Sequence, residues 1–237
     1  MIRRCCIAAL IAASLASAAT RAENGPDAPF LLPTTTLTVA DEPSIFARGL
    51  APEATSGVDG WFQTGVNSTQ VLGGAYASGA PGPRSRQFNY APFSIRQSVM
   101  MTNPDDHWWG RTNMEALLDL TGASIWSSYG SYFVGGTLFA RKNWVEPGAN
   151  VIPYSQLGVG IVYNDVSKDQ SQHALGLPLE FYLHAEVGLK YFIKPNLSLD
   201  IEGGLQHISN GKLGDRNYGV NCYGGVVGFT YYLPFGS

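Results

Sequence analysis

The chain has 237 residues, with 15 Lys+Arg against 18 Asp+Glu for a formal charge of −3, and only 14% of its residues are charged. A weakly acidic chain without a basic cluster argues against nucleic acid as a partner. Beyond the N-terminal segment no apolar run approaches the ~20 residues of a membrane helix, while 28 glycines and 12% aromatics favour a β-rich protein.

Met1-Ile2-Arg3-Arg4, an apolar run from Cys5 to Leu15 and then Ala16-Ser17-Ala18 form the basic, apolar and small-residue regions of a secretory signal peptide. Residues 1–18 are therefore expected to be removed. That leaves 13 Lys+Arg against 18 Asp+Glu, a formal charge near −5, and a single cysteine, Cys222. One cysteine makes no internal disulfide and no thiolate metal site. Residues 19–57 carry Pro26, Pro29, Pro33, Pro43 and Pro52, which interrupt every candidate element. This stretch reads as an irregular periplasmic extension, with a short strand near Thr36–Val39 as its one regular candidate.

From residue 58 the pattern changes to alternation. Strands are expected at 59–68, 87–101, 111–124, 132–141, 152–164, 179–193, 197–207 and 221–233. A Gly/Pro loop spans 72–86, and Asn103-Pro104-Asp105-Asp106 and Lys194-Pro195-Asn196 read as turns. Trp108 and Trp109 follow one of these turns; indoles favour a membrane–water boundary. Eight segments, an even number, fit the length needed to cross a bilayer at a tilt and the size of a barrel filled by its own side chains. The expected fold is all-β: an eight-stranded antiparallel transmembrane β-barrel over 58–237 with an irregular N-terminal extension. A secreted β-sandwich or a soluble barrel is the competing class.

Each segment has one apolar and one polar row. Phe181, Leu183, Ala185, Val187, Leu189, Tyr191 and Ile193 alternate with Glu180, Tyr182, His184, Glu186, Lys190 and Phe192. The polar rows collect Arg96, Glu115, Asp119, Glu186, Lys190, Asp200 and Glu202, both signs together. A membrane barrel turns such rows inward and the apolar rows to lipid, and the enclosed charges must then pair. His107, His173, His184 and His207 have no metal-ligand spacing, and neither a metal nor a cofactor is expected.

Residues i and i+2 of a strand share a face. His207 and Ser209 therefore project together at a strand end, as a base and a nucleophile would. The plainer reading is a polar strand end entering a Ser-Asn-Gly turn. Both residues are odd-numbered, like Leu199, Ile201 and Leu205, so they belong to the outward row. Asn221 shares the outward row of the last strand and faces His207 across the hairpin. A periplasmic N-terminus and an even strand count put this end at the outer leaflet, the one that carries lipopolysaccharide. Polar groups on the outer wall at that boundary suit a lipid substrate.

Gln206-His207-Ile208-Ser209-Asn210-Gly211, followed by Leu213, Asp215-Arg216-Asn217, Gly219 and a closing aromatic strand, resembles the C-terminal signature of the lipid A 3-O-deacylase (PagL-type) family. A looser resemblance runs from Asp59 to Phe235. It implies an outer-membrane barrel that hydrolyses the 3-position ester of lipid A, with Ser209 as nucleophile and His207 as base. It also implies a glutamate on the following strand that orients the histidine. Asn221 stands at that position here and supplies a hydrogen-bond acceptor without the charge; Asp215 is the alternative third member. The chain departs a second time at its end, where Gly236 and Ser237 follow Phe235. Asn210 and the backbone N–H of Gly211 are the oxyanion donors nearest in sequence. The expected partners are lipid A or lipopolysaccharide and the outer membrane, with a homodimer left open. The rival function is a non-enzymatic structural or adhesion barrel with a degenerate site, which Asn221 favours.

Overall fold

A computed structural model of the chain describes residues 57–78, 88–126 and 129–233. The expected signal peptide, the body of the extension and the short strand near Thr36–Val39 lie outside them. The described part opens with a 3-10 turn, Val58–Phe62. Eight long strands follow: β1 (Asn67–Ser78), β2 (Asn89–Met100), β4 (Gly110–Ile125), β5 (Tyr132–Trp144), β6 (Val151–Asn164), β7 (Leu179–Lys194), β8 (Leu197–Ser209) and β9 (Val220–Leu233). A three-residue strand β3 (Asp105–His107) folds back on β4 in the turn after β2. Each long strand pairs antiparallel with its neighbours in sequence, and β1 closes on β9. The eight therefore form a closed barrel with no free edge, the arrangement that satisfies every backbone group of a β-structure in lipid.

Strand alternation sorts the side chains as a membrane barrel requires. Outward residues are large and apolar and stand exposed, such as Leu138 at 63% and Leu157 at 68%. Inward residues are polar and buried. Arg96 donates to Asp119 at 2.5 Å and Glu202 at 2.7 Å. Arg141 donates to Gln156 at 2.7 Å and Glu115 at 3.3 Å, and Lys190 lies 3.6 Å from Asp200. Such buried charges persist because each is paired and hydrogen-bonded. Two apolar clusters cap this layer. One, including Tyr76, Phe88, Phe133, Tyr182, Ile208 and Cys222, fills the end with the longer connections. The other fills the opposite end, where Phe62 of the 3-10 turn packs on Phe192 and Tyr232.

The start of the barrel differs from expectation. The strand expected at 59–68 is the 3-10 turn followed by β1, and much of the loop expected at 72–86 is the second half of β1. Val58 and Phe62, four residues apart, both turn into the lumen mouth, a spacing that a helical turn satisfies and strand alternation does not. Gly73-Gly74 is not a break. A Cβ on Gly74 would stand 2.1 Å from the carbonyl oxygen of Gly225 on β9, so the pair permits close approach of two backbones within the sheet.

Candidate active site

The Gln206–His207 pair on β8 divides its work between the two faces of the wall. Gln206 points inward, where the hydroxyls of Tyr90 and Tyr182 donate to its Oε1 and its Nε2 donates to Glu186 at 2.8 Å. That anchorage fixes the strand, and alternation then sends His207 outward. His207 stands directly opposite Asn221 of β9, and its Nδ1 lies 2.7 Å from Asn221 Oδ1. Its Nε2 lies 2.9 Å from Ser209 Oγ. The three residues that alternation placed in the outward row therefore form one continuous hydrogen-bonded chain, Asn221–His207–Ser209. Around it on the same wall stand Phe181, paired with Ser209, and Leu183, paired with His207, both exposed. Leu205 and Tyr223 form the next outward pair below. A hydroxyl hydrogen-bonded to an imidazole that a third group orients is an arrangement able to activate the hydroxyl as a nucleophile.

The connection after β8 holds the serine end of this chain. Gly211 adopts φ +61°, Lys212 +68° and Gly219 +68°, the left-handed region that glycine enters without steric cost. Asn210 organises the turn. Its N–H donates to Asn217 Oδ1 at 2.9 Å, its Nδ2 donates to the Arg216 carbonyl at 3.1 Å, and its Oδ1 accepts from the Lys212 N–H at 3.0 Å. The side chain of Asn210 is thus buried and held within the loop. Asp215 is an exposed loop residue, and Asn221 takes the histidine partner position considered for it.

Two contributors were not evident from the sequence. Arg216 clasps the loop between β6 and β7, donating to the carbonyls of Asp169 at 2.8 Å, Gln172 at 3.0 Å and Ser167 at 3.0 Å. Gly219 packs against the site itself, since a Cβ there would lie 3.0 Å from His207 Cε1 and 3.3 Å from Ser209 Cβ. His184, by contrast, is an interior residue, with Nδ1 3.1 Å from Glu186. Among the described residues no group of His, Cys, Asp and Glu is placed to hold a metal ion.

The sequence profile of the lipid A 3-O-deacylase (PagL) family matches residues 89–230, more than half of the chain and all three residues of the triad. The chain belongs to the lipid A 3-O-deacylase family. It is an outer-membrane β-barrel of a family of lipid A ester hydrolases. Among solved structures it is similar to the outer membrane enzyme PagL, at 18% identity and a TM-score of 0.42 over 68% of this chain and 97% of that one. Neisserial surface protein A is similar at 18% identity and a TM-score of 0.43, over 73% and 98% of the two chains. The outer membrane protein OprG from Pseudomonas aeruginosa is similar at 12% identity and a TM-score of 0.40, over 72% and 97%. A search of curated proteins found no match to the chain.

Proposed function

We propose that this deacylase hydrolyses the ester-linked 3-O acyl chain of lipid A in the outer leaflet, with Ser209 as nucleophile, His207 as general base and Asn221 orienting the imidazole. The observation that carries the reading is the unbroken Asn221–His207–Ser209 chain, at 2.7 and 2.9 Å, on the lipid-facing wall. A base needs an unprotonated Nε2 to take the serine proton, so Nδ1 carries the ring hydrogen and donates to the carboxamide oxygen of Asn221. Ser209 Oγ attacks the ester carbonyl as His207 Nε2 takes its proton. The tetrahedral intermediate then collapses, the carbon–oxygen bond to the sugar breaks, and the imidazolium returns the proton to the leaving alcohol. Water, deprotonated by the same imidazole, attacks the acyl-serine and releases the fatty acid. The Gly211 N–H is the oxyanion donor in this scheme, two residues from the nucleophile and unused by the hydrogen bonds that order the turn. Phe181, Leu183, Leu205 and Tyr223 give the departing chain apolar surface to lie against.

Asn221 orients His207 as a carboxylate would but adds no charge to stabilise the imidazolium. In the serine-protease example replacing the triad aspartate by asparagine costs ~10⁴-fold, through the wrong tautomer. Here the carboxamide oxygen faces Nδ1, the orientation that preserves the productive tautomer. Mass spectrometry of lipid A from cells expressing the protein or its Ser209→Ala variant tests the reading. Loss of one ester-linked acyl chain with the wild type alone supports it. Identical lipid A in both leaves a barrel with a structural or adhesive role.

A further inference from the structure

The asparagine that stands in the triad brings a group that a carboxylate lacks. Its Oδ1 faces His207 Nδ1 at 2.7 Å, and its amide nitrogen Nδ2 carries two hydrogens. Among the described residues no protein acceptor meets them. Asn221 is exposed on the outward face of β9, above the outward Leu205–Tyr223 pair and beside His207, whose two ring nitrogens are both engaged within the triad. A donor at a lipid-facing wall loses free energy unless it finds an acceptor. The acceptors available there are water and the oxygens of the lipid headgroup, and a bound substrate that displaces the water must replace its hydrogen bond.

The amide cannot be turned to relieve this. Rotating it would present Nδ2 to Nδ1, force the ring hydrogen onto Nε2 and leave Ser209 without a base. The orientation that serves proton transfer is therefore the one that aims the N–H₂ group away from the histidine.

We propose that Asn221 has a second role: through Nδ2 it donates a hydrogen bond to a substrate oxygen beside the scissile ester, a hydroxyl or ester oxygen of the acylated sugar. The inference rests on the reading of the triad given above. It makes the asparagine a substrate-binding residue as well as a positioning one, and it gives the missing charge a counterpart gain in binding. The side chain then contributes to affinity through one atom and to the orientation of the base through the other, so the two contributions separate on substitution by its isostere.

Asn221→Asp keeps the shape and the acceptor, adds the charge and removes both donors. Its turnover rises, because the carboxylate stabilises the imidazolium, while its KM rises about three- to tenfold for the loss of one hydrogen bond. A residue with only a structural role would not move the two constants in the same direction, since lost orientation lowers kcat. Binding is read separately from chemistry in a Ser209→Ala background, by titrating detergent-solubilised protein with lipid A and, in parallel, with lipid A stripped of its phosphates. The second lipid removes charge repulsion by the new aspartate as a cause. About three- to tenfold weaker binding of both lipids by the Ser209→Ala, Asn221→Asp double variant than by Ser209→Ala alone supports the proposal. Equal affinity for the phosphate-free lipid overturns it. Persistent deacylation by the Ser209→Ala single variant would instead overturn the triad reading, and the binding comparison does not depend on that result.

Discussion

Replacing Gly219 by alanine tests how closely the loop after β8 holds the catalytic pair. The residue has φ +68°, and an added Cβ would lie 3.0 Å from His207 Cε1, 3.3 Å from the Ile208 carbonyl oxygen and 3.3 Å from Ser209 Cβ. Carbon atoms rest comfortably at about 3.5–4.0 Å, so the imidazole must retreat by about 0.5–1 Å or the loop must open by as much. The left-handed backbone adds about 1–2 kcal/mol of strain for an L side chain. That cost is local. The wall and the lumen network are not touched, and the barrel remains folded. Displacing a reacting group by about 1 Å costs up to ~10²-fold in rate, so turnover should fall by about 10- to 100-fold with little change in substrate affinity. The assay is the release of free fatty acid from purified lipid A in detergent micelles, with heat-modifiable gel migration as the control for a folded barrel. Wild-type turnover from a correctly folded Gly219→Ala protein would show that the loop does not hold the catalytic pair in place.

Three further outcomes follow from the geometry. Arg216→Ala removes four charge-assisted bonds to the 165–178 loop, a loss of roughly 3 kcal/mol of loop anchoring after allowing for partial exposure; amides at Ala174, Leu175 and Gly219 should exchange faster with deuterium while strand amides keep their protection, and deacylation should drop. Arg96→Ala leaves Asp119 and Glu202 without their closest cationic partner in the lumen, which should lower stability by about 3–5 kcal/mol in denaturant titrations of the detergent-solubilised barrel. Gly228→Ala places a Cβ 1.8 Å from the Val71 carbonyl oxygen across the closing β1–β9 seam, and it should show as loss of the compact, heat-modifiable band.

The residues themselves show why some of this was legible in the sequence and some was not. The period of two is clearest in β7 and β8, where an apolar row alternates with one that carries Glu180, Glu186, Lys190, Asp200 and Glu202, and the odd-numbered row of β9 carries Val227, Phe229 and Tyr231, so alternation puts His207, Ser209 and Asn221 in the outward row. The same period is blurred where Gly73-Gly74 lets β1 and β9 approach and where Val58 and Phe62 turn a helical face into the lumen. There the pattern puts the first strand too early, and the glycines of its second half suggest a loop. The hydrogen-bond partners inside the loops were beyond reach for a different reason. Asn210 lies beside Ser209 in sequence, and proximity suggested a donor at the site. Its side chain also bonds the backbone of Arg216 and Lys212, contacts that depend on the path of the whole turn. Arg216 sits in the turn after β8, yet its partners lie forty or more residues upstream. Nothing in local spacing encodes a long-range clasp to backbone carbonyls.

Covalent capture reports whether the serine on the outer wall is activated by the neighbouring imidazole. Detergent-solubilised protein is treated with a serine-reactive alkyl phosphonate ester, and the adduct is mapped by peptide mass spectrometry. A single adduct is expected on Ser209, and it disappears in the His207→Ala variant. An unmodified Ser209, or one modified equally well without His207, would contradict that activation.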